Sequence, residues 1–316
     1  MERNNAANAS FLTDDDSESG QLGSEISFEQ LENFCFAPGD ITWKGKLTLC
    51  SAGDVVDHSY LLKFSKTQNS FPCHYRMYSW NVEKFCSFMT DLSESKAHSL
   101  RDQTRINFLA WFRMIYWLGK ADGSLLDLME GAHRSFFDLP KELEAEWKEK
   151  SLDLYRVYSL QGALMVCFSL ALGYVDYKVL KDIYHLPFFF DSGLLDKLNF
   201  NYVAAISEEW QDKGKPLHLL KNTVEKKEFE DHSKKPFVNY PEVEEKFFHM
   251  KNLLPLIMRH HEKTDGSGFP DGLNWSELSD LEALIVFVSQ NYGLESVDFN
   301  NENTCVFLNG RVDRDV

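Results

Sequence analysis

Basic residues are in short supply in this chain: 33 Lys and Arg stand against 49 Asp and Glu, for a formal net charge of -16 at pH 7. A field of that sign repels polyanions. It argues against polymeric nucleic acid and anionic membrane surfaces as partners, while leaving room for a small anionic nucleotide in a locally basic pocket. Paired cysteines are also lacking. Cys35, Cys50, Cys73, Cys86, Cys167 and Cys305 form no CxxC spacing and sit mostly among apolar neighbours. That is the pattern of free buried thiols in a reducing compartment. The start of the chain is polar, with no apolar h-region to suggest a signal peptide. Long hydrophobic runs are missing too. The longest, Leu160 to Gly173, is interrupted by Gln161 and Ser169, and its roughly 14 residues fall short of the about 20 a spanning helix needs. The expectation is a cytoplasmic protein without membrane insertion.

What is present is a globular composition. The 316 residues are 43% hydrophobic and 14% aromatic, with 25 Phe, enough for two modest domains with a substantial core. Residues 1-26 are rich in Asn, Ser and acids and read as a disordered acidic tail. Residues 27-91 read as a small mixed α/β module: a short helix over Phe28 to Phe36, alternating strands in ITWKGKLTLCSAGDVV and CHYRMYSW, then a helix in NVEKFCSFM with Asn81 as its cap. Residues 92-139 read as a charged linker followed by packing helices over 105-118 and 125-137, broken at Asp122-Gly123. Residues 140-300 read as an all-α domain. A long helix starts at Pro140 and ends at Gly173, another runs through YKVLKDIYHLPFFF until Pro187 disturbs it, and a last helix is capped by Ser279. Residues 301-316 are a carboxyl-terminal tail. The fold class expected is α+β, a small mixed module followed by a helical bundle.

The most specific string is RHHEKTDGSGFPDGL, Arg259 to Leu273. It describes a helix ending in two adjacent histidines and running into a tight loop. Asp265-Gly266 and Ser267-Gly268 supply turn chemistry, and Pro270, after Phe269, stiffens the exit. Adjacent residues on a regular helix point about 100° apart. His260 and His261 therefore suit two neighbouring ions, about 4 Å apart in two-metal hydrolases, better than one.

This string resembles the signature of the HD-GYP family, in which His-His-Glu is followed by Asp-Gly-Ser-Gly-Tyr-Pro and Gly-Leu; Phe269 stands for the tyrosine. The resemblance extends from about Asp153 to Tyr292, near half of the chain. It implies a bacterial helical bundle whose facing helices hold a binuclear metal site for hydrolysis of cyclic-di-GMP. Carried over motif by motif, the early histidine position falls on Asp153 in DLYRV. The His-Asp pair falls on Phe190-Asp191 in FFFDSGLL, with Leu194 in place of a lysine. The histidine before Pro-Glu falls on Tyr240, the His-His pair on His260-His261, and the last aspartate on Gln290. Asp191, His260 and His261 are then vestigial ligands, with Asp153 the candidate rescue ligand, and Phe190, Tyr240 and Gln290 are lost ligand positions. A phenyl ring, a neutral phenol and an amide are poor substitutes for metal donors.

On that count no cofactor is expected, and divalent iron, manganese or zinc is the class if one binds. Too few basic groups remain to hold a dinucleotide firmly, and the charged segment Lys221 to Pro236 reads as an insertion over the site mouth. His185 reads as a satisfied core histidine, His249 as a surface ion-pair partner of Glu245, and Lys226-Lys227 and Lys234-Lys235 as solvated surface. The amino-terminal module bears a loose resemblance to small domains that precede HD-GYP units. The expectation is an inactive HD-GYP-like signalling protein with no catalytic residues, acting through a protein partner. The alternatives are a cyclic-di-GMP receptor that does not cleave its ligand, and a hydrolase with an altered site. Oligomeric state and partner identity are not encoded in these motifs.

Overall fold

The computed structural model describes residues 24–117, 124–150, 152–194, 231–232, 242–263 and 265–291. The remainder of the tail, the Asp122-Gly123 break, Lys226-Lys227, Lys234-Lys235, Tyr240 and residues 292–316 lie outside them, as do the side chains of Asp153, Leu194 and Gln290. The fold is α+β, mostly helical with one small antiparallel sheet.

The sheet comes first. Strands β1 (Ser24–Ser27), β2 (Gly39–Trp43), β3 (Leu47–Cys50) and β4 (Ser70–Tyr75) are arranged in the order β1-β4-β2-β3. Strand β1 lies largely within the stretch expected as tail, with Ser24 pairing with Cys73. Positive φ at Lys44 and Gly45 makes the β2–β3 turn. Helix α1 (Phe28–Leu31) is shorter than expected, and α2 (His58–Ser65) was not anticipated. Ile26, Leu31, Ile41, Leu61 and Phe71 form the small core under this sheet.

A helix runs across the expected boundary at 91. Helix α3 (Ser79–Glu94) belongs to the helical body, since Phe85 and Met89 join its core. The expected linker is mostly helix: α4 spans His98–Phe112 and continues as a π-helical turn over Arg113–Trp117. Its charges read as a spacer but are engaged by the fold: Arg101 pairs with Asp176 at 3.1 Å and Arg105 with Asp102 at 2.8 Å. Asn81 is not a cap; it lies buried inside α3 and donates to Asp127 at 2.9 Å. Asp127 opens α5 (Leu125–Phe136) and also accepts from the Tyr78 amide at 2.7 Å, which ties the starts of the two helices. Burial pushes this carboxyl up to about 6, against the pull of those hydrogen bonds.

Glu130, fully buried on α5, joins the sheet module to the bundle. Its carboxylate accepts from the amides of Cys35 at 3.2 Å and Phe36 at 3.0 Å and pairs with Arg134 at 2.7 Å. Phe36 inserts its ring edge-on against His133, with centroids 5.2 Å apart.

The long helix expected from Pro140 is two helices, α6 (Lys141–Lys150) and α7 (Leu152–Ala171). Gly173 does end α7, with φ +99 and its amide on the Leu170 carbonyl at 3.2 Å. Among the described residues, the α7 window Leu154–Ala171 is the one helical stretch long and apolar enough to cross a membrane, and 83% of it is buried as protein core. Helix α8 (Tyr177–His185) crosses α7 at Gly162, where an added Cβ would lie 2.3 Å from the Tyr184 carbonyl oxygen. Gly162→Ala is therefore expected to destabilise the fold by about 1–3 kcal/mol through overpacking, read as a lower urea midpoint with an unchanged slope. A midpoint equal to wild type would contradict this crossing.

Past α8 the chain enters α9 (Pro187–Phe190), all of it buried. His185 is a satisfied core histidine. It accepts the Asp138 amide at 3.2 Å, contacts the Lys181 carbonyl at 2.7 Å, and is held by burial at a pKa of about 3. Further on lie α10 (Val243–Lys246), α11 (Leu253–Met258) and α12 (Asp280–Asn291). Ser279 caps α12 reciprocally with Glu282. His249 pairs with buried Asp182 at 3.1 Å instead of Glu245, because Asp182 also accepts the His249 and Met250 amides and so anchors this turn on α8. Cys35, Cys50, Cys73, Cys86 and Cys167 are free thiols.

Candidate metal centre

Two structural devices bring the donors together. The first is the phenylalanine run. Phe188, Phe189 and Phe190 are buried in the core, and Asp191 follows at the carboxyl end of α9, where the chain turns. The side chain of Asp191 is therefore delivered from a rigid base. The second is the loop of the His-His string. Its buried Glu262 accepts three amides, those of Asp271 at 2.7 Å, Gly272 at 3.1 Å and Leu273 at 2.9 Å, which folds the loop back on itself. Gly268 packs so closely that a Cβ there would lie 2.3 Å from the Lys263 nitrogen and 2.4 Å from the Glu262 Cα. Gly266 and Gly272 hold positive φ, and Asp265 caps Ser267 from its side chain. Pro270 follows a cis peptide bond. Phe269 lies nearly parallel to His261, ring centroids 4.7 Å apart, and its amide bonds the His261 carbonyl at 3.2 Å.

The expectation that adjacent histidines diverge rested on a regular helix. His260 and His261 instead occupy a terminal 3-10 turn, Arg259–His261, after which the chain becomes extended. Their ring centroids are 3.9 Å apart, and both rings join one cluster. That cluster comprises Asp191, His232, His260 and His261, with all four ligand atoms within 4.8 Å of one another. His232 Nε2 lies 3.0 Å from Asp191 Oδ1 and 3.1 Å from His261 Nε2; His260 Nε2 lies 3.9 Å from the same Asp191 oxygen. Donors about 2.0–2.1 Å from one tetrahedral ion sit roughly 3.4 Å apart, within this range.

Protonation favours a cation. The Nδ1 of His260 is 2.6 Å from the Ile257 carbonyl. Only an N–H can satisfy that acceptor, and in the neutral ring this leaves the lone pair on Nε2. That Nε2 is buried without a hydrogen-bond partner among the described residues. A ring nitrogen fixed by a carbonyl behind it is the arrangement of metal-bound histidine. The Ser289 hydroxyl holds the His260 carbonyl at 2.8 Å, fastening the turn to α12. Burial works to raise the Asp191 carboxyl, but the His232 and His260 imidazoles beside it win and hold it well below the usual carboxylate range. Burial, then repulsion from its histidine neighbours, holds His261 well below the usual imidazole range. An ionised carboxylate and a neutral imidazole are the forms that bind metal. These Asp and His residues could hold a metal ion.

Measured against the motif assignments, Asp191, His260 and His261 do converge. Phe190 lies in the wall, stacked on His260 at 4.8 Å and 4°. The positions of Tyr240, Asp153 and Gln290 cannot be set beside the cluster, because their side chains lie outside the described residues. The missing donor is His232, within the segment read as an insertion over the site mouth; at this point the segment supplies the site. The interval between Asp191 and Tyr240 contains two histidines, His218 and His232, and trying each as the absent third donor was the available signal. Tyr158 was missed as well. From α7 its hydroxyl donates to Asp191 Oδ2, but a tyrosine on an apolar helix carries no mark distinguishing it from core. Compared with known proteins, the chain matches no family model, no curated protein and no solved structure.

Proposed function

We propose that this chain is a cytoplasmic HD-GYP-like signalling protein that holds a metal ion without turning over cyclic-di-GMP, and that acts by contact with a protein partner. The observation that carries this reading is the closure of four protein donors on one point beside the Phe190 ring. Four protein ligands saturate a tetrahedral ion such as zinc and leave no position for an attacking water. That is the arrangement of structural sites, whereas catalytic zinc keeps three protein ligands and an open place. An ion here would fasten the His232 segment to the His-His loop and so fix a surface. The chemistry it supplies is cross-linking.

Charge supports the same reading. The Arg259 guanidinium, beside the loop, is engaged by Asp271 at 3.0 Å and by Glu282. It is not presented to a phosphodiester, which needs directed cationic donors. A second reading is favoured by His232, which raises the donor count above three. Six-coordinate iron or manganese would keep positions for water, as an altered-site phosphodiesterase requires.

The test is protein loaded separately with zinc, manganese or divalent iron and incubated with cyclic-di-GMP. No hydrolysis and no heat of binding are expected. Turnover that disappears in His261→Ala would establish the second reading; heat without turnover would make the protein a receptor.

A further inference from the structure

We propose that Tyr158 restricts Asp191 to a single ligating oxygen and so makes the centre a one-ion site. This rests on the metal-binding reading above and goes beyond it to stoichiometry and to the residue that sets it.

The two oxygens of Asp191 have different surroundings. Oδ1 faces the imidazoles, 3.0 Å from His232 Nε2 and 3.9 Å from His260 Nε2. Oδ2 accepts the Tyr158 hydroxyl. That phenol cannot easily turn aside. Its ring is buried, with Trp147 edge-on at 5.0 Å and Phe188 edge-on at 6.1 Å. The indole of Trp147 is in turn fixed by its N–H on the Phe188 carbonyl at 3.0 Å. Tyr158 is thus clamped between α6 and α9, with its hydroxyl aimed at one carboxylate oxygen.

A carboxylate that bridges two ions gives one oxygen to each. Here a neutral hydroxyl already occupies the second oxygen. The other approach, past His260, is filled by the Phe190 ring lying flat against the imidazole at 4.8 Å. A second ion about 3.5–4 Å from the first would need to displace the phenol or the ring. Tyr158 is therefore a positioning residue. It orients the carboxylate so that Oδ1 points at the imidazoles, the part commonly played by a hydrogen-bond partner behind a metal ligand.

The experiment is a cobalt titration of the full chain and of Tyr158→Phe, followed by the visible absorption of bound cobalt. Wild type is expected to saturate at about one equivalent. The variant loses only a hydroxyl and is expected to bind about 10–100-fold more weakly, the usual effect of removing such a partner, with a shifted cobalt band as the carboxylate rotates. A structural role alone would leave that band in place. Should the variant fail to fold, infrared difference spectra of metal-loaded against metal-free wild type give the same information. A carboxylate bound through one oxygen splits its two stretches more widely than a bridging one. Unchanged affinity and band in a folded variant, a bridging signature, or two equivalents in wild type would each overturn this inference while leaving a metal-binding protein. No cobalt binding by wild type would overturn both.

Discussion

Chelation of the metal-loaded protein is expected to lower its melting temperature by roughly 5–10 °C. An ion present at about 100 times its dissociation constant adds about 2.7 kcal/mol to the folded state. In a chain of this size each kcal/mol moves the midpoint by about 2–4 °C. The effect arises because the four donors come from stretches far apart in sequence, Asp191 after α9, His232, and the His260-His261 turn after α11. Only the folded chain brings them within reach of one ion. In His261→Ala one donor is gone, and the difference between metal-loaded and chelated samples should shrink to about 2 °C or less. Differential scanning calorimetry with and without chelator decides it. A melting temperature indifferent to chelator in wild type, or a shift of equal size in His261→Ala, would show that this cluster does not carry the ion.

The second large effect is expected at Glu262, which touches no ion. Its carboxylate accepts the Asp271, Gly272 and Leu273 amides from within a fully buried position. Glu262→Ala orphans three donors, each worth about 1–3 kcal/mol when left unsatisfied. Partial opening of the loop to water limits the total, so a loss of about 3 kcal/mol is expected. Glu262→Gln keeps one acceptor oxygen and should fall between. The same loop sets Phe269 against His261 and bonds its carbonyl. Metal affinity should therefore drop along with stability. Urea unfolding of the metal-free variants checks the first part. A Glu262→Ala protein within about 0.5 kcal/mol of wild type, the range of ordinary surface changes, would mean that the loop is not held from inside.

How much of this could be read beforehand depended on distance along the chain. The loop from Arg259 to Leu273 is built from neighbours: glycines at positive φ, an aspartate capping its own turn, a glutamate reaching amides about ten residues on. Such chemistry is written locally, and the string stood out for that reason. The α12 cap at Ser279 and the α7 stop at Gly173 were legible on the same grounds. His232 was not. It sits between acids and lysines, and what makes it a donor is the position of Asp191 and His261, which no local pattern records. Motif spacing pointed to the Pro-Glu pair after Tyr240 and therefore away from it. Strand β1 was hidden because its partner, β4, lies more than forty residues downstream. The charged stretch around residue 95 was misjudged because an exposed helical surface and a linker share one composition.

X-ray absorption at the edge of the bound metal tests the four-donor centre most directly. The account predicts a first shell of nitrogen and oxygen at about 2.0–2.1 Å with the scattering of three imidazoles, falling to two in His232→Ala. A spectrum with one imidazole or none, or one unchanged by that substitution, would contradict it.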